Sequence, residues 1–259
     1  MTAREYRLDW QASTDTGSVR DHNEDLFAVV PDLKVWVVAD GMGGHSAGDW
    51  ASKQIAESFS ELPDCEGLES LLEAVSNAIH SANATIFQRG VSEGKTMGST
   101  VVSLAISGDA FGIVWAGDSR AYLLRGGELL QLTTDHTQVQ AMIARGILPP
   151  EEAESHPMSH VLSKAVGVED ALELEGITDK FHSGDLFLLC SDGLHGVLHS
   201  GEIRDILLTS EFTASADRLI ERCLEVGAKD NVTVIVVQAH ERTQLVFGST
   251  AEPQEGADL

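Results

Sequence analysis

Four aspartates sit beside apolar runs, where a carboxylate is expensive to bury and therefore informative. Asp40 follows Val35-Trp36-Val37-Val38-Ala39 and precedes Gly41-Met42-Gly43-Gly44. Asp118 follows Ile113-Val114-Trp115-Ala116-Gly117, and Asp192 follows the run from Leu186 to Ser191 and precedes Gly193. Asp230 precedes Asn231 and opens a last apolar run. An ionised carboxylate at the end of a buried strand needs a partner. Four of them gathered at one edge of a sheet need cations. Hard oxygen donors suit Mg²⁺ or Mn²⁺, whereas zinc favours His and Cys sets that are missing here. Any one Asp-Gly pair taken alone is an ordinary turn; the four together favour a metal site. Near the start, Arg20-Asp21-His22-Asn23-Glu24-Asp25 adds carboxylates and an arginine fork suited to phosphate, against the plainer reading of a surface charge run.

The elements that must position these residues are legible from pattern. Clusters of β-branched residues predict strands over Leu26 to Val30, Lys34 to Ala39, Thr100 to Ile106, Phe111 to Ala116, Ala121 to Arg125, Leu186 to Cys190 and Asn231 to Val237. Helical spacing marks Ala47 to Leu62 and Leu68 to Gly90, the second through Leu71, Val75, Ile79, Ala82 and Ile86. Strands, two helices, then strands again predict an α+β fold, with a sheet sandwich flanked by helices. Between Thr137 and Val168 the pattern weakens around Pro149, Pro150 and Pro157, as in a lid or flap insertion. One domain is expected over 6–239, followed by an acidic, frayed tail over 240–259.

Composition narrows the function classes. Forty-one acidic against 17 basic residues give a formal charge of −24, which opposes binding to a nucleic-acid backbone. The apolar runs are strand-sized, no membrane span is visible, and the first residues carry no secretory signal, so a cytoplasmic protein is expected. The three cysteines lack metal or disulfide spacing.

With these segments in hand, the sequence resembles the PP2C-type, or PPM, metal-dependent serine/threonine phosphatases in their compact bacterial form. The motifs fall in the family's order: Gly17-Ser18-Val19-Arg20, Asn23-Glu24-Asp25, Ala39-Asp40-Gly41-Met42-Gly43-Gly44-His45, Gly98-Ser99-Thr100, Gly117-Asp118-Ser119-Arg120, Thr134-Asp135-His136, His156-Pro157, Ser191-Asp192-Gly193 and Lys229-Asp230-Asn231. The resemblance implies a central β-sandwich of two antiparallel sheets flanked by helices, with a flap over about 137–167. It implies two tightly held Mn²⁺ or Mg²⁺ ions and a weaker third. Asp40 would bridge the pair, Asp192 and Asp230 would complete the first site, and Glu24 with the Gly41 carbonyl would hold the second. Asp25 would stand behind the ligands, Asp118 with Asp192 would form the third site, and Arg20 would bind the substrate phosphate. Many eukaryotic members carry histidine where this chain has Met42, which leaves His45 and His160 as candidates for the general acid.

Activity by this route needs only water shared between cations and in line with phosphorus, with no covalent enzyme intermediate. The expected substrates are phosphorylated proteins, with a bacterial Ser/Thr kinase and its targets as partners, on a monomeric enzyme. The stretch from Trp36 to His45 also resembles phosphatases of type VI secretion control. The rivals are a catalytically weak phosphoprotein-binding module of the same fold, and a two-metal nuclease that the acidic balance disfavours.

Overall fold

A computed structural model describes residues 6–44, 46–153 and 156–241. Two antiparallel sheets face each other. The first has the order β1 (Tyr6–Asp15), β11 (Val232–Glu241), β10 (Leu186–Cys190), β7 (Arg120–Arg125), β8 (Glu128–Gln131). The second runs β2 (Asp25–Val30), β3 (Val35–Met42), β5 (Val101–Ser107), β6 (Ala110–Ala116), β9 (Glu175–Lys180), with the short β4 (Gly98–Ser99) paired to the end of β3. Between the sheets lies a core of Trp36, Val38, Leu104, Phe111, Phe187, Leu189 and Ile235.

Each sheet buries its outer face against helices, which is why strands such as β11 read as continuous apolar runs rather than alternating ones. On the second sheet, α1 (Ser46–Phe59) and α2 (Gly67–Glu93) pack Ile55, Phe59, Leu71, Val75, Ile79 and Ile86 against Val37, Val101 and Val114. Gly94 ends α2 in the left-handed region at φ 62°, its N–H returning to Gly90 and Val91 carbonyls. On the first sheet, α4 (Asp192–His195), α5 (Ser200–Thr209) and α6 (Ser215–Glu225) cover Leu188, Val234 and Val236. The apolar stripe of α6 is Ala216, Leu219, Ile220 and Cys223, spaced for one helical face.

The expected sandwich and the two early helices are present, with boundaries shifted by a few residues. Two strand ends depart from expectation. β3 does not stop at Ala39 but continues through Asp40 to Met42, because β4 offers it a partner at Gly41 and Met42. β11 continues through His240 and Glu241, paired to Arg7 and Tyr6, so the expected boundary at 239 cuts a strand. The rest of the expected tail lies outside the described residues. The segment expected as a flap holds one short helix, α3 (Gln138–Ala144), and is tied at its roots by bridges between Thr137 and Leu162 and between Ser99 and Val166. Among the described residues no helix is long and apolar enough to cross a membrane.

Candidate metal centre

The sandwich brings the aspartates to one end. Asp25 and Asp40 are directly opposed across the antiparallel pair β2·β3. Like charges facing each other across strands are destabilising unless something compensates them. Asp118 sits in the turn between β6 and β7, Asp192 opens α4 after β10, and Asp230 immediately precedes Asn231 and β11. The Asp40 and Asp192 carboxyls are within hydrogen-bonding reach of each other.

Burial and mutual repulsion push Asp25, Asp40, Asp118 and Asp192 toward the protonated form. Burial raises Asp25 to about 7, with a further push from Asp192 and Asp230. Asp118 rises to about 7, first through burial and then through Asp192. Asp40 is held well above the usual carboxylate range by burial, then by repulsion from Asp25, Asp192, Asp118 and Asp230. Asp192 is raised by burial and by Asp230. Carboxylates assembled in this way, with one half-exposed arginine among them, fit a divalent cation.

One orphaned atom gives the same answer. Asp25 is 4% exposed; its Oδ2 accepts a bond from Ser191 Oγ at 2.7 Å, while the buried Oδ1 has no hydrogen-bond partner. Glycines give the carboxylates room. A Cβ on Gly48 would collide with Glu24 Oε2, and one on Gly41 would collide with the Gly48 carbonyl and lie 2.7 Å from the Glu24 carbonyl. The Gly41 N–H donates to Glu24 O at 3.1 Å, so the turn after Asp40 and the Glu24 loop are one assembly. Among the described residues no three carboxylate, thiol or imidazole groups converge closely enough to hold a metal ion by themselves. Mg²⁺ commonly takes only one or two carboxylates and keeps several waters.

Arg20 is placed otherwise than expected. Its Nε and Nη2 fork onto Asp230, at 2.9 and 2.7 Å, so the expected phosphate clamp grips an expected metal ligand. Both side chains are about half exposed, at 55% and 42%, which keeps the pair exchangeable. His160 is exposed and lines a cavity of about 410 Å³ together with Asp118, Asp192, His195 and the Arg120–Asp135 pair. His45 lies outside the described residues. Met42 faces the other side of the flap, lining a groove with Leu162, Ala165 and Leu172.

Several supporting residues were not singled out from the sequence as site residues. Asn231 donates from Nδ2 to the carbonyls of Thr16 and His22, at 2.9 and 3.0 Å, and its Oδ1 accepts the Glu24 N–H at 2.8 Å. It thereby holds the loop that carries both Arg20 and Glu24. Thr100 Oγ1 accepts the Asp40 N–H at 3.2 Å and shares a 2.6 Å bond with Ser119. His195 donates from Nε2 to the Asp118 carbonyl at 3.0 Å, and burial lowers its pKa to about 4, so it stays neutral. The signal for Asn231, Ser191 and Ser119 was adjacency: each is next to a site aspartate.

Comparison with known proteins agrees with this geometry. The signature of the family described as Protein phosphatase 2C matches residues 13–141. Serine/threonine protein phosphatase PstP of Mycobacterium tuberculosis is 39% identical over 234 residues; the alignment covers 88% of this chain and 44% of that protein. The chain thus spans under half the length of that relative. Serine/threonine phosphatase stp of Listeria welshimeri is 34% identical, with 87% of this chain and 93% of the relative aligned. Among solved structures, PppA, described as a key regulatory component of the type VI secretion system in Pseudomonas aeruginosa, superposes with a TM-score of 0.83 at 38% identity, covering 90% of this chain and 97% of that one. The catalytic domain of PstP, solved with two manganese ions, gives 0.82 at 36% identity, covering 92% and 100%. From sandwich to carboxylate end, this chain belongs to the protein phosphatase 2C family.

Proposed function

We propose that this protein hydrolyses phosphoserine and phosphothreonine on other proteins, using two Mn²⁺ or Mg²⁺ ions and a weaker third. The observation that carries the reading is the directly opposed pair Asp25 and Asp40, both raised by burial and by repulsion from Asp192 and Asp230. Asp40, Asp192 and Asp230 would hold one ion, Asp40 with Glu24 and the Gly41 carbonyl the second, and Asp118 with Asp192 the third. Bound cations supply Lewis acidity, which lowers the pKa of water and neutralises phosphoryl oxygens.

The chain's own groups do the rest. Arg20 presents a fork now closed on two carboxylate oxygens of Asp230; a phosphoryl group offers the same two-oxygen edge, and Arg20 exchanges one for the other as substrate arrives. Asn231 keeps Arg20 and Glu24 on one rigid loop. Ser191 holds Asp25, which stands opposite Asp40 across the β2·β3 pair, from behind. His160, at the mouth of the cavity beside Asp118 and Asp192, is the described histidine best placed to give a proton to the leaving alkoxide.

The substrates on this reading are phosphorylated proteins, including those of a Ser/Thr kinase, met by a monomer in the cytoplasm. Likeness to PppA supports a place in type VI secretion control. A phosphothreonine peptide incubated with EDTA-stripped protein should release phosphate only after Mn²⁺ is restored. Peptide binding without release at any Mn²⁺ concentration would select the phosphoprotein-binding module instead.

A further inference from the structure

One buried imidazole joins parts of the molecule that the preceding account treats separately. His136, 7% exposed, stands at the N-terminal root of the segment over 137–167. Its Nδ1 accepts the Gly117 N–H at 3.0 Å, and its own N–H donates to the Gly117 carbonyl at 2.9 Å. Its carbonyl accepts the N–H of Ser163, near the other root, at 2.8 Å. The ring lies parallel to Trp115, centroids 6.1 Å apart at 11°, and Trp115 Nε1 donates to the Thr134 carbonyl at 2.9 Å. On its far side Nε2 is 2.9 Å from Glu175 Oε1, which Lys164 Nζ approaches at 3.5 Å.

A backbone N–H can only donate, so Nδ1 presents its lone pair and the ring proton resides on Nε2, which is near Glu175 but not aligned with it as a hydrogen bond. Gly117 cannot be braced from within. Its φ is +118°, and a Cβ there would lie 2.6 Å from Thr100 Cβ. The reciprocal bonds to His136 therefore fix the residue that precedes Asp118. On the opposite side Thr100 bonds Ser119, so the Asp118 turn is held between two fixed points.

We infer that His136 is a positioning residue that locks the Asp118 turn to both roots of the flap, so that flap geometry and the aim of the Asp118 carboxylate are set together. This inference rests on the phosphatase reading for its consequence in turnover, although the lock itself does not. The bland alternative is that the imidazole only fills space under Trp115.

Two substitutions separate these ideas because they rank oppositely. His136→Leu fills the space but offers no acceptor; His136→Asn fills it poorly but places Oδ1 where the Gly117 N–H can reach. Positioning predicts that Asn keeps kcat/KM for a phosphothreonine peptide within about threefold of wild type while Leu loses roughly tenfold, whichever variant melts higher, since a buried N–H left unpaired is the costly event. Equal activity of the two, or Leu ahead of Asn, would overturn the inference. A measurement on the wild-type chain decides even where a variant does not fold. Nitrogen-15 spectra should show Nδ1 of His136 unprotonated and hydrogen-bonded, with the Gly117 amide protected from exchange. A proton on Nδ1, or a fast-exchanging Gly117, would sink the lock. Absence of wild-type turnover with Mn²⁺ would refute the phosphatase reading instead, leaving the spectra to decide the lock.

Discussion

Strand β10 has an aspartate near each end, and the two sit in opposite surroundings. Asp185, just before Leu186, is 2% exposed and fully partnered: the Arg125 fork reaches its two oxygens at 2.9 and 2.6 Å, and the His182 N–H adds a third bond at 2.7 Å. Asp192, two residues beyond Cys190, faces Asp40 and Asp230 and is pushed toward its protonated form. One end of the strand has its countercharge built into the chain. At the other end one half-exposed arginine serves several carboxylates, which share the deficit. Burial alone therefore does not mark a functional aspartate; burial without an internal cation does.

The largest expected effect separates the two ends directly. Asp192→Ala should lower phosphopeptide turnover by on the order of 10³-fold, the scale on which a preorganised electrostatic contact contributes, with little change in melting temperature. Asp185→Ala should do the reverse. Breaking its pair with Arg125 leaves a guanidinium without its partner and should cost about 3 kcal/mol, which for a domain of this size lowers Tm by about 6–12 °C, while turnover at 25 °C stays near wild type. If calorimetric melting and steady-state kinetics showed the two variants alike, the contrast would be unfounded.

Arg20 tests the boundary between the two kinds of end, since it gives Asp230 a cation yet leaves both side chains exposed. Arg20→Ala should raise KM by about tenfold for phosphopeptide and p-nitrophenyl phosphate alike, the low end for charge-assisted hydrogen bonds, and lysine should rescue only in part. An unchanged KM for both esters would make Arg20 a structural partner of Asp230, as Arg125 is of Asp185.

The smallest effect concerns protons. Asp25 and Asp118 titrate near 7 in the folded chain against 3.8 for an ordinary aspartate, so the metal-free fold holds protons that the unfolded chain releases. The stability from this source is full below pH 3.8 and is lost as pH rises to about 7. Mn²⁺ competes with those protons, so the rise in Tm that it produces should be greater at pH 8 than at pH 5.5. A rise that is equal at the two values would contradict the raised titrations.

Much of this was legible in the sequence, for physical reasons that differ by region. The motif aspartates were visible because apolar strands make a neighbouring carboxylate conspicuous, and β10 could be bounded from Leu186 to Cys190 because its five residues are all buried. The edge strand β1 was missed because Tyr6 to Asp15 mixes polar and apolar residues on a half-exposed surface. Helix α6 was missed although its buried apolar positions Ala216, Leu219, Ile220 and Cys223 are spaced for one helical face. The fork of Arg20 on Asp230 spans 210 positions, and the bond of His136 to Gly117 spans 19; neither leaves a local pattern. Composition could not separate Asp185 from Asp192, since that difference is entirely one of neighbours.

The most direct measurement is Mn²⁺ binding to EDTA-stripped protein by calorimetry, comparing wild type with Asp40→Asn and Asp185→Asn. The account predicts two tight ions in wild type and in Asp185→Asn, and loss of tight binding in Asp40→Asn. Two tight ions retained in Asp40→Asn, or none in wild type, would contradict it.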